Sequence, residues 1–240
     1  MKLFTNILIY TLIVFSSCSK DDETITPILD NGNPIVKSSS TYDVNFDEDL
    51  VYAQGLSHQS VNSSNAIPIP LKLDVYYPEN NLTNRPVFLF IHGGGFTMGD
   101  KLDAFLPDIA NYYASRGWVF LSIYYRLRDD FVTVPQEWLD FANTLPSNAR
   151  SIIIAQYPPM RDAKAAMRWV IVNAATYNIN TDFITVGGGS AGAMTAITTG
   201  ISEPEDYRDE LSVTQDPTLS TTNLNQFFKV ETIIDFWGSK

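Results

Sequence analysis

The stretch VGGGSAGAMTA, Val186 to Ala196, contains Gly188, Gly189, Ser190, Ala191 and Gly192 in the pattern G-x-S-x-G. A serine hydroxyl is a weak nucleophile near neutral pH and becomes useful only when a base takes its proton. The pattern serves that chemistry when the serine stands on a sharp strand-to-helix turn that lifts its oxygen above a sheet. Small neighbours let such a turn close, and a helix N-terminus favours developing negative charge. The run IHGGGF, Ile91 to Phe96, offers the complementary group. Three glycines at a strand exit leave backbone N–H groups free to point at an oxyanion. The two motifs together describe acyl transfer. A base is harder to find, because triad order in this arrangement is serine, then acid, then histidine. The two histidines, His58 and His92, both precede Ser190.

The same glycines admit a rival chemistry. Gly187, Gly189 and Gly192 match G-x-G-x-x-G, a dinucleotide fingerprint. That fingerprint belongs on the first strand of a fold, with an acidic residue about 20 positions on at a strand end. Here several strands come first, and the acidic residues at that distance lie in the polar run EPEDYRDEL. No dinucleotide is therefore expected, and acyl transfer by a serine implies no metal and no organic cofactor. A net charge of −11 argues against nucleic acid as a partner, since phosphate contacts need clustered Lys and Arg.

The elements that must position these groups follow from hydrophobic patterning. LKLDVYY (Leu71–Tyr77) puts Leu71, Leu73 and Val75 on one face and Lys72 and Asp74 on the other, the mark of a half-exposed strand. Pro86–Ile91, Trp118–Ile123, Phe183–Val186 and Val230–Phe236 are apolar runs expected to be buried strands. Leu106, Ile109 and Tyr113 recur at helical spacing before a stop at Gly117. Ala163, Met167, Val170 and Ala174 do so after Pro158-Pro159, and a third helix is expected from Ser190 to about Ile201. This alternation predicts an α/β fold with a mostly parallel sheet and helices on both faces. Arg128 to Tyr157 reads as a long insert whose Phe131, Trp138, Phe141 and Tyr157 suit either a substrate pocket or a satellite core.

The N-terminus carries a different message. Met1-Lys2, an apolar run from Leu3 to Phe15 and Ser16-Ser17-Cys18 read as an export signal. The run is shorter than the ~20 residues of a spanning helix. Small residues before Cys18 resemble the lipobox of bacterial lipoproteins, and SKDDE after it resembles an acidic surface-display tether. Cys18 is the one cysteine, so no intrachain disulfide is possible. The expected organisation is a signal peptide with a lipidated Cys18 over residues 1–18, a polar tether over 19–41 and one domain over 42–240. Such a chain would be lipid-anchored to the outer membrane, or otherwise periplasmic or secreted.

The motifs LDVYYP, HGGGF, YYRL (Tyr124–Leu127), RDAKAAMRWV (Arg161–Val170) and GGSAGA (Gly188–Ala193) resemble the alpha/beta-hydrolase superfamily. The similarity is to HGGG-class carboxylesterases related to hormone-sensitive lipase, and it runs from about Leu71 to Gly238. It implies that Ser190 is the nucleophile and that the N–H groups of Gly94, Gly95 and Ala191 form the oxyanion hole. It implies that His92 shapes the oxyanion loop without serving as base, and that Arg126 and Asp162 tie strand to helix. The substrate would be a small-molecule or polysaccharide ester. The family would supply two further strands with their helices, an acid and the base, so a copy truncated at its C-terminus is expected. Asp235 reads as a strand residue, with a role as the acid the less favoured alternative. A non-catalytic, hydrolase-like binding protein is the competing reading.

Overall fold

The computed structural model describes residues 32–238. The expected signal peptide, Cys18 and the tether up to Asn31 lie outside the described residues.

Among the described residues a six-stranded sheet has the order β1-β2-β4-β3-β5-β6. Its strands are β1 (Val44–Ser57), β2 (Ile67–Pro78), β3 (Arg85–Ile91), β4 (Val119–Ile123), β5 (Ile179–Gly189) and β6 (Thr232–Trp237). β1 and β2 form an antiparallel pair, and β2 joins β4 antiparallel. β4, β3, β5 and β6 run parallel, so the half of the sheet that carries both motifs has the predicted sense. The helices are α1 (Leu106–Ala114), α2 (Gln136–Asn143), α3 (Ser147–Val172), the single-turn α4 (Ala174–Tyr177) and α5 (Ala191–Ile201).

Each face of the sheet has its own core. Phe88, Phe90 and Phe120 pack with Leu106, Ala110 and Ala114 of α1 on one face. Val87, Leu89, Ile91, Val119, Leu121 and Ile123 pack with Ala163, Met167 and Val170 of α3 and Ala196 of α5 on the other. β3 and β4 are completely buried, as continuous apolar runs in a covered parallel sheet should be.

Four features depart from the patterning. Asp74, expected on an exposed face of β2, is fully buried and takes the Lys101 ammonium at 2.8 Å. β6, expected to be buried, stands at one end of the described strand order, where Ile233 and Trp237 are 36% and 50% exposed. The helix carrying Ala163, Met167 and Val170 was expected to follow Pro158-Pro159, yet α3 runs through both prolines. Proline removes a backbone donor, so the carbonyls of Ile154 and Ala155 lose their i+4 amides; one residue earlier, the Trp138 indole of α2 donates to the Ile153 carbonyl at 2.8 Å. Finally, ordered contacts begin ahead of Tyr42. The Lys37 amide donates to the Arg116 carbonyl and the Thr41 amide to the Ser115 carbonyl, beyond the end of α1.

The insert from Arg128 to Tyr157 holds α2 and the first turns of α3. Tyr157 is buried with Val132, Val134, Leu211 and Leu219, and Trp138 packs on this satellite core. Phe131 and Phe141 stay exposed.

Candidate active site

β3 and β5 are neighbours in register, with Ile91 opposite Gly188. The two motifs therefore leave adjacent parallel strands at the same edge, the carboxyl edge where open α/β sheets bind ligands. Ser190 follows β5 directly and is the N-cap residue of α5. Its backbone has φ 53° and ψ −119°, a region that glycine occupies and other residues avoid. Its side chain is exposed and makes no hydrogen bond among the described residues.

The glycines beside it are required by close backbone approach. A Cβ on Gly192 would stand 2.0 Å from the Ile91 carbonyl oxygen, and one on Gly188 would stand 2.4 Å from the same atom. The first turn of α5 is thereby seated on the end of β3. The turn is closed from the other side by the Ser190 amide, which donates to the Trp237 carbonyl at 3.0 Å.

The glycine loop lies against this turn. A Cβ on Gly93 would come within 2.9 Å of the Gly189 carbonyl and 3.5 Å of Ser190 Cβ. Gly94 and Gly95 follow with φ of 109° and 61°. The Gly94 carbonyl is used within the loop, accepting from the Thr97 and Met98 amides. The N–H groups of Gly94, Gly95 and Ala191 donate to no backbone or side-chain acceptor among the described residues. That is the state of donors able to receive a charged oxygen.

Neither histidine is placed as a base for Ser190. His58, in the loop between β1 and β2, is bonded through Nδ1 to the Ser63 carbonyl at 2.7 Å and through Nε2 to Thr133 Oγ1 at 2.8 Å. His92 is fully buried under the glycine loop, with Nδ1 2.7 Å from the Gly93 carbonyl. A carbonyl only accepts, so Nδ1 carries the proton and Nε2, which has no partner among the described residues, is the bare nitrogen. Burial pulls the His92 pKa below its ordinary value, against the opposing effect of the Gly93 hydrogen bond. The imidazole is thus held neutral as a prop inside the loop.

Arg126 and Asp162 form a buried bidentate pair. The guanidinium donates at 3.0 and 2.6 Å to the two carboxylate oxygens, and the Arg126 amide adds a bond at 2.9 Å. This pair joins the chain just after β4 to the middle of α3 and leaves Asp162 fully engaged. Asp235 is exposed on β6 and accepts from the Gly238 amide.

Three residues around the site escape sequence reasoning. Tyr125 lies within the YYRL motif, but only the structure shows its hydroxyl donating to the carbonyls of His92 and Gly93 at 2.9 and 3.2 Å. Trp237 covers Gly189, where a Cβ would meet the indole at 2.3 Å, and Phe105 stands edge-on to Trp237 with ring centroids 5.6 Å apart. Long-range contacts of this kind leave no periodic trace in a sequence.

The BD-FAE family model matches residues 73–146 and 147–240. Pyrethroid hydrolase Ces2a of Mus musculus is 32% identical over 136 residues, which are 56% of this chain and 21% of that protein. The probable carboxylic ester hydrolase LipM of Mycobacterium tuberculosis is 30% identical over 122 residues, 50% of this chain and 23% of that one. Among solved structures, Thermogutta terrifontis esterase 2 phosphonylated by cyclosarin superimposes with a TM-score of 0.50 at 23% identity, over 82% of this chain and 56% of that one. The chain therefore spans about half the length of that esterase and about a fifth of the curated relatives it matches. With the sheet order, the helices on both faces and the two motifs at one strand edge, these matches assign the fold: the chain belongs to the BD-FAE family and has an alpha/beta-hydrolase fold.

Proposed function

We propose that this protein is a carboxylic ester hydrolase in which Ser190 attacks the ester carbonyl. The N–H groups of Gly94, Gly95 and Ala191 would hold the oxyanion. The observation that carries this reading is the Ser190 backbone at φ 53° and ψ −119°, directly beside a glycine loop with uncommitted donors. Strain of this kind costs about 1–3 kcal/mol and persists where the surroundings enforce it. In the reaction the Ser190 proton passes to a base as its oxygen bonds to the acyl carbon, and the alcohol leaves with a proton from that base. Water then releases the acid by the same route in reverse roles. His58 has both ring nitrogens bonded and His92 is buried, and this reading assigns the base and its acid partner to a part of the complete protein outside the 240 residues given. The short share of each relative that the chain covers supports that assignment. The ester itself is a small-molecule or polysaccharide ester.

Treating the complete gene product with a fluorophosphonate and mapping the adduct by peptide mass tests this reading. The adduct is expected on the Ser190 peptide and absent from Ser190→Ala. An unmodified Ser190 in a folded protein contradicts it. We further propose that Cys18 carries a lipid that anchors the protein to the outer membrane. Metabolic labelling with a fatty-acid analogue, expected in the wild type and lost in Cys18→Ala, tests that.

A further inference from the structure

The segment carrying the candidate oxyanion donors leaves β3 at His92 and reaches α1 by way of Lys101. Gly94, Gly95, Phe96 and Gly99 all have φ between 61° and 109° within it. A bulky residue such as Phe96 resists that region, so the loop keeps its shape only where its surroundings over-determine it. The Tyr125 hydroxyl fixes the leg at His92 and Gly93. The other leg ends in Lys101.

Lys101 is tied to the sheet through both side chain and backbone. Its side chain is 6% exposed, and Nζ lies 2.8 Å from each oxygen of Asp74 and 3.0 Å from Asp49 Oδ1. Asp74 is fully buried on β2, opposite Ser122 of β4. Ser122 Oγ donates to the Lys101 carbonyl at 2.7 Å. Burial pulls the ammonium pKa down, but the bonds to Asp74 and Asp49 more than offset it and leave the pKa raised. The group is charged at any physiological pH.

What the Lys101 leg holds in place is the floor of the loop. A Cβ on Gly99 would stand 2.4 Å from His92 Nδ1, and one on Gly94 would stand 1.9 Å from the Met98 carbonyl oxygen. Gly94 and the His92 ring thus rest directly on residues 98 and 99, two to three positions before Lys101. No slack separates the ion pair from the donors. A buried ion pair is a poor source of stability, because desolvation consumes most of its attraction. What it supplies here is a fixed anchor point, since the compact ammonium is held at once by both oxygens of Asp74 and by Asp49.

We propose that Lys101 and Asp74 are a positioning pair that sets the Gly94 and Gly95 N–H groups toward Ser190, a role resting on the reading of those groups as oxyanion donors. The test uses the complete gene product with Lys101→Arg, which keeps the pair, and with Lys101→Met combined with Asp74→Leu, which removes both charges without stranding either. The double variant is expected to melt near the wild type while kcat falls about 10²-fold, the scale of a ~1 Å misplacement, with KM unchanged. Amide exchange over residues 93–100 should quicken while that of α5 stays as it was. Lys101→Arg should retain wild-type exchange over 93–100 and most of kcat. A folded double variant with wild-type kcat and wild-type exchange overturns the proposal. If the double variant does not fold, Asp74→Asn, which removes the carboxylate that seats Lys101 while keeping a side chain of the same shape, is read in its place by the same exchange measurement, and unchanged exchange overturns the proposal. Exchange is read without turnover, so a failed esterase reading and a failed positioning role give different results.

Discussion

The rings of Tyr125 and His92 stack at 4.1 Å with an interplanar angle of 13°, and the Tyr125 hydroxyl bridges the carbonyls of His92 and Gly93. One tyrosine thereby covers the buried imidazole and fixes the backbone at the exact point where β3 gives way to the glycine loop. Tyr125→Phe keeps the stacking and removes the two hydrogen bonds. The expected cost is about 1–2 kcal/mol of stability, with lower kcat and unchanged KM in the complete gene product. Urea denaturation and steady-state kinetics check this, and an unchanged kcat contradicts it.

The strain at Ser190 can be separated from its chemistry. Glycine adopts φ 53°, ψ −119° freely and alanine does not. Ser190→Gly is therefore expected to be more stable than Ser190→Ala by about 1 kcal/mol, after allowing for glycine's greater freedom in the unfolded chain. Denaturant midpoints of the two variants decide the matter. If the glycine variant is the less stable, the backbone there is not strained.

Stability below neutral pH should report on His92. Its pKa in the folded protein lies below the ordinary 6.5, chiefly through burial. Between 6.5 and that lower value the unfolded chain binds the proton and the native state does not, so stability is full above pH 6.5 and falls as pH drops. The slope contributed is at most about 1.4 kcal/mol per pH unit. Asn in place of His92 can keep a donor for the Gly93 carbonyl without titrating. Melting temperatures of wild type and His92→Asn from pH 7.5 to 5.5 should diverge, with the wild type falling more steeply. Parallel curves would count against a neutral, buried His92.

Much of this architecture is legible in the residues, and what escapes has physical causes. Apolar runs such as Pro86–Ile91 and Trp118–Ile123 identify covered strands because hydrophobicity is local information. The motifs flanking Ile91 and Gly188 meet because those residues are opposite in register, which follows once both strands are parallel neighbours. Asp74 defeats the pattern: alternation marks it as solvent-facing, but Lys101, 27 positions later, makes its burial tolerable. The prolines at 158 and 159 mark a helix boundary by propensity, and packing against α2 and the satellite core overrides it.

The central claim is that turnover depends on Ser190 together with a base outside these 240 residues. Hydrolysis of p-nitrophenyl acetate by the 240-residue chain and by the complete gene product, each with and without Ser190→Ala, tests it most directly. Losing the base of a serine triad lowers kcat about 10⁶-fold, leaving little beyond binding and oxyanion stabilisation. The account predicts turnover by the complete product that Ser190→Ala abolishes, and almost none by the 240-residue chain with either residue at 190. Strong Ser190-dependent hydrolysis by the 240-residue chain, or turnover by the complete product that survives Ser190→Ala, would contradict it.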